Sequence, residues 1–170
     1  MEFLAPFRIA AVLVAVGCFT SNVHAQATAA VEAAPSGDIW RVMGSAYTFH
    51  FSRNPNHRHV YMLGLEKQDA DKIIVGGTAF TNSFGQPSAY LYVGQRFDKL
   101  TSHDPLFVQV TAGLLYGYKP PYENKVPFNY KGFSPGAVLS VGWQFTPMVS
   151  AQVNFLGNSA LMFQVSADFR

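Results

Sequence analysis

The stretch FSPGAVLSVGWQF, residues 133–145, decides how the chain is read. Phe133, Ala137, Leu139, Val141, Trp143 and Phe145 fall on one side of a two-residue period. Ser134, Gly136, Ser140, Gly142 and Gln144 fall on the other. A period of two belongs to an extended strand with one apolar and one polar or small face. The segment 160–169 repeats the pattern, with Leu161, Phe163, Val165, Ala167 and Phe169 opposite Gln164, Ser166 and Asp168.

Outward from these two, six more segments have strand chemistry and end in turn residues: 43–52, 59–67, 72–84, 88–98, 106–118 and 149–156. Most are long for a soluble sandwich, and they match the roughly 9–11 residues a tilted strand needs to cross a bilayer. The chain of 170 residues is 49% hydrophobic, 15% aromatic and only 13% charged. That charged share is about half of what a soluble domain carries. A soluble lipocalin-type barrel would need a polar outer face, and these strands offer an apolar one. The expectation is an all-β fold, an eight-stranded antiparallel transmembrane β-barrel of the outer membrane occupying residues 41–170. A formal net charge of +2 excludes a nucleic-acid footprint.

The N-terminus supports export. Arg8, the apolar run 9–19 and the small-residue site Val23-His24-Ala25 read as a secretory signal peptide over residues 1–25. A lipoprotein box around Cys18 is the competing reading. Residues 26–40 then form a leader or a short N-terminal helix, ended by Pro35 and Gly37. With the N-terminus in the periplasm, the loops after strands one, three, five and seven face outward, and the longest of them is 119–132.

Several strands carry apolar residues on both faces, as Val60, Met62 and Gly64 opposite Tyr61, Leu63 and Leu65 do. Eight strands enclose side chains or one small ligand, not a channel. Glycines 76, 77, 94, 113 and 117 could keep part of that space empty for an acyl chain; a packed apolar core is the other expectation.

Polar groups gather at the outer rim. Strand one rises to His50, and strand three rises to Asn82 and Ser83. A neutral His can take a proton from a hydroxyl, and an amide or hydroxyl can orient it or stabilise an oxyanion. Asn and Ser are also ordinary turn formers. His57 and His59 alternate as two metal ligands might, but no Cys or carboxylate accompanies them, so no metal and no dissociable cofactor is expected. Glu66, Asp69, Asp71 and Asp98 fall at periplasmic turns, where solvation explains them. Arg53, Arg58, Lys119, Lys125 and Lys131 fall in the outward loops.

Ala79-Phe80-Thr81-Asn82-Ser83-Phe84 resembles the A-F-x-D-S-aromatic motif of the PagP lipid A palmitoyltransferase family. His50 in TFHFS and the stretch LSVGWQFTPM are similar to that family's first and sixth strands. The wording GLLYGYKPPYENKVPFN resembles a divergent Pseudomonas-type branch of that family. The resemblance implies an outer-membrane acyltransferase that moves a palmitoyl chain from a glycerophospholipid donor to lipid A, acting as a monomer, with His50, Asn82 and Ser83 as catalytic residues. It also implies lateral access for the phospholipid where strand pairing is interrupted, near Pro55, Pro127 or Pro135. Asn82 stands where the motif has an acid, so a carboxylate role does not carry over. A lipid A deacylase and a non-catalytic structural barrel are the alternatives.

Overall fold

The computed structural model describes residues 37–98, 100 and 105–170. The residues expected to form a signal peptide, most of the expected leader, and residues 99 and 101–104 lie outside the described residues. The strands are β1 (Ile39–His50), β2 (Met62–Gln68), β3 (Ile73–Thr81), β4 (Pro87–Asp98), β5 (Leu106–Tyr116), β6 (Phe133–Thr146), β7 (Val149–Leu156) and β8 (Ala160–Phe169). They pair in sequence order, all antiparallel, and β8 closes on β1. Closure satisfies the backbone without an edge, which a strand needs in hydrocarbon. The outward face is apolar: Leu63 and Leu91 are 66% and 65% exposed, a surface suited to lipid and not to water.

β1 and β2 start away from the expected residues, each for its own reason, and β3 and β5 end earlier than expected, at Thr81 and Tyr116. β1 begins at Ile39, four residues earlier than expected, so the leader or helix expected up to residue 40 gives up Ile39 and Trp40. Arg41 looks like a residue outside a transmembrane strand, yet it points inward to two carboxylates. β2 begins at Met62, three residues later than expected, because residues 59–61 follow β3 alone (Thr81 N–H to Tyr61 C=O, 3.0 Å).

β1 also carries a bulge. Gly44 pairs with Val165 and Tyr47 with Phe163, so one extra residue lies between Gly44 and Tyr47. Below it the odd residues Arg41 and Met43 face inward. Above it Thr48 and His50 do, while Tyr47 and Phe49 face out.

The interior is divided by height. The lower half is polar, which corrects the expectation of an apolar interior. Arg41 donates from Nη1 to Glu66 (2.6 Å) and from Nε and Nη2 to Asp168 (2.6 and 2.8 Å). Glu66 also accepts from the Tyr92 hydroxyl and from Gln109, both at 2.9 Å. Arg96 bonds Asp98 and Gln144, both at 2.8 Å. Glu66 is 1% exposed, so it is not the solvated turn residue its position suggests, and Asp98 is tied to Arg96 and Lys72. Charges at this depth persist because each is paired. The upper half is apolar, a cluster of Met43, Val60, Met62 and Met162 packed with Phe80 and Leu156.

The glycines do not hold a slot open. Gly77 faces outward against Leu91, and Gly76 is covered by the Tyr92 ring, 2.7 Å from where a Cβ would stand. Gly94 and Gly113 lie against neighbouring backbone, at 2.3 and 1.9 Å from such a Cβ. Their role is close approach of strands and aromatic rings.

Candidate functional site

The loop 82–86 is built by Asn82. Its side-chain oxygen accepts the N–H groups of Phe84 and Gln86, both at 3.0 Å, and its amide donates to Gln86 Oε1 at 3.3 Å. Gly85 sits at φ +78°, a conformation glycine adopts without strain. The returning chain of the β1–β2 loop docks on this turn, Arg58 N–H to Ser83 C=O at 2.8 Å.

This geometry aims Ser83 across the rim at β1. His50 Nε2 lies 2.7 Å from Ser83 Oγ, within hydrogen-bonding range. Two of the three expected site residues therefore meet, joined from strands that are not neighbours in the sheet. The third, Asn82, is 1% exposed, and both ends of its amide are used within the turn. It shapes the loop that carries Ser83 and reaches neither His50 nor the space above it.

Three further groups complete the surroundings. His57 stacks on His50 with ring centroids 4.2 Å apart, and its ring meets Phe84 edge-on at 5.6 Å. His59 turns away toward Tyr61, so His57 and His59 do not form a pair. Among the described residues no group of three metal-ligating side chains occurs. Tyr118, just past β5, lies near Ser83; burial pushes its phenol above the ordinary value and the proximity of Ser83 partly offsets this. The phenol therefore stays protonated and available as a donor.

Gln86 fixes the loop that brings Tyr118. Its Oε1 accepts Lys119 N–H at 2.9 Å and its Nε2 donates to Lys119 C=O at 3.0 Å, the pairing of one strand residue with another. Tyr118 itself is at φ +46°, and its carbonyl is held by Asn129 at 3.0 Å. Tyr118 and Gln86 were not among the residues the sequence singled out as a site, and His57 was weighed there only as a metal ligand. Tyr118 reads as the last residue of a strand, and a glutamine in a turn carries no signal of what it clasps.

The ladder is breached beside this site. β1 pairs with β2 only from Ile39 to Ser45, leaving its upper part bonded to β8 alone. β6 pairs with β7 only from Leu139 downward, so residues 133–138, with Pro135 among them, are open on that side. Pro135 donates no backbone hydrogen bond, which suits an unpaired edge. Pro55 and Pro127 lie in loops.

No family model matches the chain, and none of the curated proteins matches it. Among solved structures it is similar to a de novo designed transmembrane β-barrel, with a TM-score of 0.56 and 13% identity over 82% of this chain and all of that one. At that identity the likeness shows the fold alone. Ail, the attachment invasion locus protein of Yersinia pestis, solved with the heparin analogue sucrose octasulfate, aligns at a TM-score of 0.37 and 11% identity over 78% of this chain and 97% of its own. That match is too loose to carry an argument. The fold defines the class: a closed eight-stranded transmembrane β-barrel of the outer-membrane type.

Proposed function

We propose that the barrel is an outer-membrane acyltransferase of the PagP kind, moving a palmitoyl chain from a glycerophospholipid to lipid A. The observation that carries this reading is the 2.7 Å contact between His50 and Ser83 at the outer rim. The acceptor hydroxyl gives its proton to His50, and its oxygen bonds to the ester carbonyl carbon of the phospholipid. The ester C–O bond then breaks, and the departing lysophospholipid takes the proton back from His50. Ser83 fixes the imidazole ring, and Asn82 holds the turn that carries Ser83.

The surroundings suit a long-chain ester. Thr48 pairs with Met162 and His50 with Ala160, so the methionine cluster begins one inward position below the site. Methionine side chains are unbranched and repack readily, a fitting floor for a chain that must enter and leave. The unpaired upper part of β1 gives a lateral route from the lipid phase.

Mass spectrometry of lipid A tests the reading, using cells that lack the gene and cells that produce the wild-type or His50→Ala protein at equal abundance. A gain of one palmitoyl group with wild type and not with His50→Ala is the expected result. Loss of an acyl group would assign a deacylase, for which the same His–Ser contact serves equally well. Unchanged lipid A would leave a non-catalytic barrel.

A further inference from the structure

The four rim loops, residues 51–61, 82–86, 117–132 and 157–159, carry Arg53, Arg58, Lys119, Lys125 and Lys131 against one carboxylate, Glu123. Among the described ion pairs, all of which lie elsewhere in the barrel, none involves these five cations. Three of them rest on aromatic rings instead: Lys119 on Tyr116, Lys125 on Phe84 and Lys131 on Tyr130. A rim of cations without counter-charges favours an anionic partner.

Within this rim one cleft has defined walls. It holds about 270 Å³ and is lined by Pro55, Asn56, His57, Arg58, Phe84 and Tyr122. At about 30 Å³ per water this is room for roughly nine waters, the scale of one phosphorylated sugar ring or a glycerophosphate and too little for a long acyl chain. One wall is an aromatic platform, Phe84 stacked on Tyr122 at 4.1 Å, and most of the lining open to the cleft is polar. Arg58 lies across the turn, and a Cβ on Gly85 would come within 2.8 Å of its Cδ. Lys125 approaches the same platform, 5.9 Å from the Phe84 centroid. The cleft adjoins the reacting groups through His57, which stacks on His50, and through Phe84, which follows Ser83 in the chain.

We infer that this cleft is a subsite for the phosphate ester of a lipid headgroup, held by Arg58 and Lys125 over the Phe84–Tyr122 platform beside His50 and Ser83. A guanidinium pairs bidentately with phosphate, which suits a cleft whose open lining is mainly polar. The placement beside a reacting pair rests on the acyl-transfer reading; the binding itself does not.

The test uses the full barrel in neutral detergent micelles, titrated calorimetrically with lipid A, with dephosphorylated lipid A and with phosphatidylethanolamine. Wild type should bind lipid A about tenfold or more tighter than its dephosphorylated form, and Arg58→Gln or Lys125→Gln should remove most of that preference. If the two variants instead weaken phosphatidylethanolamine, the phosphate recognised is the phospholipid's, and the subsite stands with its source assigned. Arg53→Gln lies on the same loop outside the cleft and should change nothing; a loss equal to that of Arg58→Gln would mean diffuse charge and overturn the subsite. Equal affinity for all three lipids, unchanged by Arg58→Gln, would also overturn it. Variants are first checked for the anomalous migration of unheated barrels in detergent gels. Phosphate-dependent binding by a barrel that leaves lipid A unacylated would end the transferase reading and keep the subsite, and turnover with phosphate-blind binding would do the reverse.

Discussion

Replacing Arg41 by Met tests whether the lower interior is the dry, paired network that the geometry describes. Arg41 makes three hydrogen bonds to two carboxylates, and Arg41, Glu66 and Asp168 are all buried. Without it, Glu66 keeps the Tyr92 and Gln109 donors, whereas the Asp168 carboxylate loses both of its side-chain bonds. Breaking a buried pair from one side costs about 3–5 kcal/mol. Protonation of the orphan limits the loss, since neutralising an ordinary carboxyl at pH 7 costs about 4 kcal/mol. The two figures agree, so Arg41→Met should destabilise the barrel by about 3–5 kcal/mol. Glu66→Gln should cost less, about 1.5–3 kcal/mol, because Arg41 keeps its two bonds to Asp168. The sign of a double change is the sharper criterion: Arg41→Met with Asp168→Asn should be more stable than Arg41→Met alone. Reversible urea unfolding in lipid vesicles gives these numbers, followed by the fluorescence of Trp40 and Trp143, which both face outward. A loss for Arg41→Met within about 0.5 kcal/mol, or simple additivity in the double variant, would refute the reasoning.

At the rim, His50→Ala should leave a folded, heat-modifiable barrel and lower acyl transfer by about 10²-fold or more. Ser83→Ala should lower it too, and the double variant should lose far less than the product of the single losses, as read from initial rates. Asn82→Asp keeps the oxygen that accepts two turn N–H groups, so it should fold and retain activity; Asn82→Ala loses that acceptor, with an expected cost of about 1–2 kcal/mol in the same unfolding assay. Gln86→Ala unclasps the loop bearing Tyr118, and should reduce acyl transfer while leaving barrel stability within about 0.5 kcal/mol, because its bonds lie at the exposed rim. Gly113→Ala should prevent assembly, judged by loss of heat-modifiable migration, because its Cβ would meet the Leu91 carbonyl at 1.9 Å.

The period of two in β6 and β8 was enough to place their outer and inner faces residue by residue, because alternation is a local property. The meeting of His50 with Ser83 was legible too, because it follows from two rising strands in one barrel. What escaped depended on partners remote in sequence. Arg41 and Glu66 are polar residues that a lipid-facing reading pushes out of strands, and only closure of β8 onto β1 brings Asp168 to neutralise them. The glycines were legible as small residues, but whether the space they leave is empty or filled depends on the rings of Tyr90, Tyr92 and Phe107 from neighbouring strands. Asn82 was recognised at the right place and given a role at the reacting atoms, while its hydrogen bonds are spent on the turn.

The bulge in β1 has a genetic consequence. Between Gly44 and Tyr47 the strand holds two residues where β8 holds one, and the extra one is absorbed without moving the residues above. A deletion of one codon for Ser45 or Ala46 would straighten the ladder and leave Tyr47 opposite Phe163 and His50 facing inward. Loss of the Thr48 codon, where no bulge takes up the change, would instead turn Phe49 into the lumen and His50 toward lipid. Each of His50, Asn82 and Ser83 would remain spelled out in the gene, so a comparison scoring identities would report an intact rim where the histidine points the wrong way. Among divergent copies of such a barrel, the length of the segment from Tyr47 to His50 is therefore a better mark of an assembled rim than the presence of the histidine.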